Sequence, residues 1–120
     1  MTRREITGTR SLDFSKWVRE MLPDSQTGYS ASDLDFILWN WKTKNLMFLE
    51  IKTRNAKVRQ GQKMMFENIN KWIKTGIDND WKYHGFHLIT FENSSFEDGK
   101  CYFDNQEITQ EELIEKLSFL

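Results

Sequence analysis

The sequence predicts one α/β domain over residues 1–120, with a central mixed β-sheet flanked by helices. Three observations lead there. Segments with helical periodicity alternate along the chain with short apolar runs of strand length. A length of 120 residues suits a single core. Five Trp and nine Phe supply the bulk to fill that core.

The elements follow in order. Phe14, Trp17, Val18 and Met21 recur at helical spacing and predict a first helix over residues 12–22. Ser11 or Asp13 can cap its start, and Pro23 follows its end. "DSQTGYSAS" reads as a loop. In "DLDFILWNW" both parities are apolar, with Ile37, Trp39 and Trp41 on one side and Leu34, Phe36 and Leu38 on the other. A strand covered on both faces is expected there. "KTKN" is a tight connection to a second, antiparallel strand, "LMFLEIKT". "NAKVRQG" is a basic loop before a second helix over residues 62–75, whose stripe is Met65, Phe66, Ile69, Trp72 and Ile73. "HGFHLITFE" and "GKCYFD" are the third and fourth strands. Thr109 and Glu112 have the spacing of a capping box, which opens a last helix carrying Leu113, Ile114 and Leu117. The predicted order is α, β, β, α, β, β, α.

Composition narrows the class. With 38% hydrophobic and 29% charged residues, the chain reads as globular rather than disordered. No apolar run approaches the ~20 residues of a membrane span. "MTRREITGTR" lacks the apolar segment of a signal peptide. Cys101 is the single cysteine, so neither an internal disulfide nor a cysteine-based zinc cluster can form. A reducing, cytoplasmic setting without membrane association is expected. The net charge of −1 hides a segregation. Residues 42–63 hold seven basic side chains and one acidic, whereas residues 92–116 hold eight acidic and two basic. A polyanion feels the local field rather than the total, although two ordinary solvated faces would look the same.

The chemistry centres on two strands. Side chains at i and i+2 of a strand share a face, so Glu50 pairs with Lys52 and Asp33 with Asp35. A short turn between the strands puts an aspartate beside Glu50. Two adjacent carboxylates repel unless a cation lies between them. Hard oxygen ligands with open positions suit Mg²⁺. A neighbouring lysine can polarise a water and offset charge on phosphorus. The bland alternative is an ion pair of Glu50 and Lys52 at a sheet edge. His84 and His87, three apart in a strand, are expected on opposite faces in structural roles. Cys101 reads as a small core residue. Trp39 and Trp41 read as core filling, with base stacking as the alternative.

"SDLDFILWN", "LMFLEIKT" and "GQKMMF" together resemble the PD-(D/E)xK nuclease superfamily, over residues 13–90. That superfamily includes restriction endonucleases, Holliday-junction resolvases and phage recombination nucleases. The resemblance implies a restriction-endonuclease-like αβββαβ core. It also implies a Mg²⁺-dependent DNA nuclease, with Mn²⁺ as substitute: an endonuclease of phage or mobile-element DNA processing, recombination or restriction. The motif falls on Asp35 and, fifteen positions on, Glu50-Ile51-Lys52. Leu34 stands where the family has proline, which leaves Asp33 as a rival. Asp35 is preferred because it enters "FILW" directly, as the family's aspartate does. Asp35, Glu50 and the Ile51 carbonyl would then hold the metal, and Lys52 would orient water. Gln62 on the following helix and Glu20 on the preceding one would support the site. Gln62 is preferred to Gln60 because it is in register with the helix stripe. Arg54, Lys57, Arg59 and Lys63 would hold DNA phosphates without reading sequence. Resolvases and restriction enzymes often dimerise, so a homodimer is among the expectations, in a bacterial or phage-infected cell. The competing readings are a catalytically inactive nuclease-fold DNA-binding module and a protein-interaction domain that uses the acidic C-terminal segment.

Overall fold

The computed structural model describes residues 12–54 and 56–119, the side chains of Leu12 and Ser25 excepted. The chain divides into two compact units, residues 1–33 and 34–120. The first holds helix α1 (Leu12–Met21) and a 3-10 turn at Ser25–Thr27. Asp13 lies in the first turn of α1, while Ser11 lies outside the described residues. Phe14 stacks on Trp17 at 5.8 Å, and both stay exposed together with Met21.

The second unit runs β1 (Phe36–Asn40), β2 (Asn45–Thr53), α2 (Gln60–Gly76), β3 (Lys82–Phe91), β4 (Cys101–Phe103), β5 (Gln106–Ile108) and α3 (Gln110–Leu117). With α1, the described residues make an α/β chain of three α-helices and a five-stranded mixed sheet in the order β1-β2-β3-β4-β5. Neighbouring strands are antiparallel except β2 and β3, which run parallel and are joined through α2. A parallel pair needs such a crossover, because no tight turn can reverse the chain twice.

The connection over residues 41–44 reverses the chain by a side-chain device. Asn40 Oδ1 accepts from the amides of Lys42 and Thr43 at 2.9 and 3.1 Å, and Lys44 takes a positive φ of 58°. The β1–β2 register follows, with Phe36 opposite Leu49 and Asn40 opposite Asn45. One face of the sheet carries the core. Met47 and Leu49 of β2 pack there with Ile89, Cys101, Ile108 and Leu113 of α3. Phe36 and Leu38 join from β1, and Ile51 joins from β2. The expected capping box opens α3: Thr109 Oγ1 accepts from the Glu112 amide, and Glu112 Oε1 accepts from the Thr109 amide, both at 3.1 Å.

Four features depart from the sequence reading. β1 is an edge strand covered on one face only; Ile37 and Trp39 are exposed, as is Trp41 in the turn, so these tryptophans do not fill the core. In α2 the buried side chains are Gln62 and Phe66, whereas Met65 and Trp72 face solvent, so the true stripe is narrower than the apolar residues suggest. A fifth strand, β5, follows a two-residue turn in which Asp104 and Asn105 have positive φ of 49° and 69°, the signature of a type I′ hairpin. Finally, β3 bulges. Leu46 pairs with Tyr83 but Phe48 with Phe86, so one extra residue sits in β3, next to Gly85 at φ +100°. The extra residue reverses the alternation. His84 and His87 therefore share a face, their rings tilted against those of Phe119 and Phe103 respectively.

Candidate functional site

The other face of the sheet presents the even-numbered residues of β2: Leu46, Phe48, Glu50 and Lys52. Helix α2 covers its middle, where Phe66 stacks on Phe86 at 4.4 Å and Phe86 meets Phe48 edge-on at 5.8 Å. Extending the β1 register by one residue sets Asp35 opposite Glu50. A hydrogen bond fixes this placement: the Ile51 amide donates to Asp35 Oδ2 at 2.9 Å. Asp35 is thus held by the strand that carries its partner acid.

Glu50 is 4% exposed, on the second strand of the sheet rather than at an edge. That excludes the open-edge ion pair as its explanation. Lys52 does sit beside it, with Nζ 3.4 Å from Glu50 Oε1. The second oxygen, Oε2, is buried with no hydrogen-bond partner among the described residues. Burial pushes the Glu50 carboxyl up to about 7, and the neighbouring Asp35 carboxylate pushes the same way, against Lys52. Lys52 alone therefore does not neutralise the site. A buried carboxylate oxygen with unused lone pairs and an acid neighbour is a strong ligand for a cation.

Gln62, on the first turns of α2, is the other buried group in this state. It is 8% exposed, and Oε1 has no hydrogen-bond partner among the described residues. An amide oxygen is a second hard donor. The Ile51 carbonyl completes the set. In a strand the N–H and C=O of one residue point to the same edge, and the Ile51 N–H already reaches Asp35. These donors are oxygens throughout. They suit Mg²⁺ or Mn²⁺ better than zinc, which prefers histidine and cysteine. Among the described residues no group of three or more His, Cys, Asp or Glu side chains forms a metal cluster. The fit thus rests on two acids and a backbone carbonyl, with Gln62 Oε1 a further buried oxygen on α2.

Glu50 opens onto a cavity of about 700 Å³ floored by Phe66 and Phe86. Lys57 and Lys63 stand at its wall. Arg54 and Arg59 do not line it. Arg54 takes a positive φ of 51° after β2, where its amide donates to the carbonyls of Phe91 and Asn93, and Arg59 is the N-cap residue of α2. Glu20 lies on α1 in the first unit, exposed, with Lys16 Nζ 4.0 Å from its carboxylate. Asp33 ends that unit and is exposed. The structure therefore groups Asp35, Glu50, Ile51 and Lys52, and places Lys57 and Lys63 around the adjoining cavity.

His87, expected only in a structural role, and Asp104, which the sequence reading did not single out, also line the cavity. Asp104 Oδ2 lies 2.6 Å from His87 Nδ1, and Asp104 Oδ1 accepts from the Leu88 amide at 2.9 Å. For Asp104 the sequence signal was the Asp-Asn dipeptide of the hairpin turn. No family model, curated protein or solved structure matches the chain.

Proposed function

We propose that the chain is a Mg²⁺-dependent DNA nuclease that hydrolyses phosphodiester bonds at the Asp35–Glu50–Lys52 face. One observation carries this reading: Glu50 is buried with an unpartnered oxygen, and an aspartate lies beside it in spite of the repulsion. Asp35, Glu50 and the Ile51 carbonyl would hold the ion, with Gln62 Oε1 as a further donor. A bound divalent ion would supply Lewis-acid polarisation of the phosphate and a more acidic water. Lys52, restrained by Glu50, presents an ammonium where negative charge builds on the phosphorus oxygens. Lys57 and Lys63 place positive charge along the cavity, where a phosphate backbone would lie.

In fold terms, β1, β2, α2 and β3 would form the functional half of a restriction-endonuclease-like core. Two strands precede the crossover helix here, where that core has three. The function is therefore argued from the site and not from the fold.

The acidic C-terminal segment gains no support as a docking surface, because several of its acids have internal work. Asp98 accepts from the amides of Ser94 and Ser95. Asp104 is bound to His87 and Leu88, and Glu112 caps α3. The test is calorimetric titration of Mg²⁺ and Mn²⁺ into wild type and Glu50→Gln. Binding by wild type that Glu50→Gln abolishes supports the reading, and equal binding by both refutes it.

A further inference from the structure

Asp35, Ile37 and Trp39 alternate along one face of β1, the face that also bears Glu50 on β2. Toward the far end of that face lies a groove of about 450 Å³ between β1 and the end of α2. Ile37, Leu46 and Ile77 make it largely apolar, Trp39 and Trp81 give it aromatic walls, and Asp78 adds one carboxylate, an acceptor for the amino group of a base. Trp39 is 60% exposed and Trp41, in the following turn, 66%. Lys42 Nζ sits over the Trp41 ring, 5.5 Å from its centroid. The adjoining Lys44 is satisfied by Asp80 at 2.5 Å, and Lys82, opposite Asn45, belongs to the other face, which leaves Lys42 as the positive charge beside the tryptophans.

We infer that this groove takes unstacked nucleobases of a single-stranded DNA segment, with Trp39 and Trp41 as stacking platforms and Lys42 facing the phosphates. The chemistry selects the occupant. Exposed indole faces beside the Lys42 ammonium match a ligand that alternates flat π-systems with anions. A purely apolar partner would bury the Lys42 ammonium without compensation. Duplex bases stack on one another and offer no free face to an indole. The spacing also fits a path to the acids. Trp39 is four residues from Asp35, or about 13 Å along a strand, a span of two or three nucleotides of extended single strand. The inference rests on the nuclease reading and narrows its substrate to DNA with an unpaired stretch next to the cut.

The experiment measures affinity in metal-free buffer by tryptophan quenching and by anisotropy of labelled DNA. The ligands are a dT oligonucleotide and a blunt duplex of equal length, and the proteins are wild type, Trp39→Ala, Trp41→Ala and Trp39→Phe. Each alanine variant should lose about tenfold or more on dT and little on duplex, and Trp39→Phe should keep most of the affinity. Melting temperatures near wild type show that the exposed tryptophans are not needed for folding. Equal losses on both DNAs, or no loss on dT, overturn the inference. So does a wild type that light scattering shows to be a dimer and Trp39→Ala to be a monomer, since a second copy then occupies this face. The two readings fail separately. Selective dT losses beside a wild type that never cuts would leave the platform standing and remove the nuclease. Mg²⁺-dependent cutting with unchanged dT affinity would do the reverse.

Discussion

The Ile51 amide donates to Asp35 Oδ2 at 2.9 Å, so one acid of the site is tied to the backbone next to the other. This bond separates two roles of Asp35. Asp35→Asn keeps an oxygen that can accept from Ile51, so the fold should hold while metal binding and cleavage fall steeply. Asp35→Ala loses the bond as well and should also lower stability, by about 1–3 kcal/mol for a charge-assisted hydrogen bond. Asp33→Asn should leave both properties near wild type. Thermal melts and Mg²⁺ titrations on the three variants check this. Full loss of binding in Asp33→Asn, with Asp35→Asn unaffected, would move the site two residues upstream.

The raised Glu50 carboxyl makes stability and metal affinity depend on pH with opposite signs. Its folded value of about 7 lies above the ordinary 4.5, so the folded protein holds this proton more tightly than the unfolded chain. The resulting stabilisation of the metal-free protein is complete below the ordinary value and is lost as pH rises through about 7. A cation needs the carboxylate, so Mg²⁺ affinity should rise with pH toward about 7, and binding there should release protons. Glu50→Gln should flatten both dependences and raise the metal-free melting temperature at alkaline pH, because an amide has no charge to bury. Denaturation across the pH range, and calorimetry in buffers of different ionisation enthalpy, read these effects. Metal-free stability that climbs through pH 7 in wild type and not in Glu50→Gln would contradict the assignment.

The cavity-lining lysines should count differently from the arginines near them. Lys57→Ala and Lys63→Ala should each lower the slope of log affinity against log salt by about 0.9 on duplex DNA, irrespective of sequence. Arg54→Ala and Arg59→Ala should change the slope less, since neither side chain lines the cavity beside Glu50. A slope that falls only with the arginines would place the backbone on another surface.

Gly85 tests the bulge. At φ +100° a side chain is strained, and a Cβ there would stand 3.0 Å from the His87 ring. Gly85→Ala should destabilise the protein by about 1–3 kcal/mol and disturb the pairing of His87 with Asp104. Urea denaturation gives the first quantity and the imidazole NMR resonances the second. An unaffected midpoint would mean that the bulge relaxes without cost.

Much of the sheet was legible because its signals are local. Alternation in "LMFLEIKT" sets Glu50 and Lys52 on one face, and the short "KTKN" turn leaves only an antiparallel partner. The capping box at Thr109 and Glu112 fixes α3 in the same way. What escaped depends on the rest of the chain. Trp39 reads as core by type, yet exposure is decided by how far α2 reaches across the sheet, and it stops short of the edge strand. His84 and His87 were misplaced because a strand period of two fails at a bulge. The three residues of β5 are too few for a pattern, and the Asp-Asn turn that makes them a strand is a weaker signal than Asn-Gly. Glu50 could be suspected from sequence. Its unpartnered oxygen could not, because burial of that atom depends on packing from several elements.

The most direct measurement is cleavage of end-labelled DNA (single-stranded, duplex and flapped) by purified wild type and Glu50→Gln, each with Mg²⁺ and with chelator. Wild type should cut in Mg²⁺ and stop in chelator, with the flapped substrate cut at or near its unpaired stretch, and Glu50→Gln should be inactive throughout. Cutting that persists in chelator, that survives Glu50→Gln, or that wild type never shows on any of the three DNAs would contradict a metal-dependent nuclease centred on Glu50.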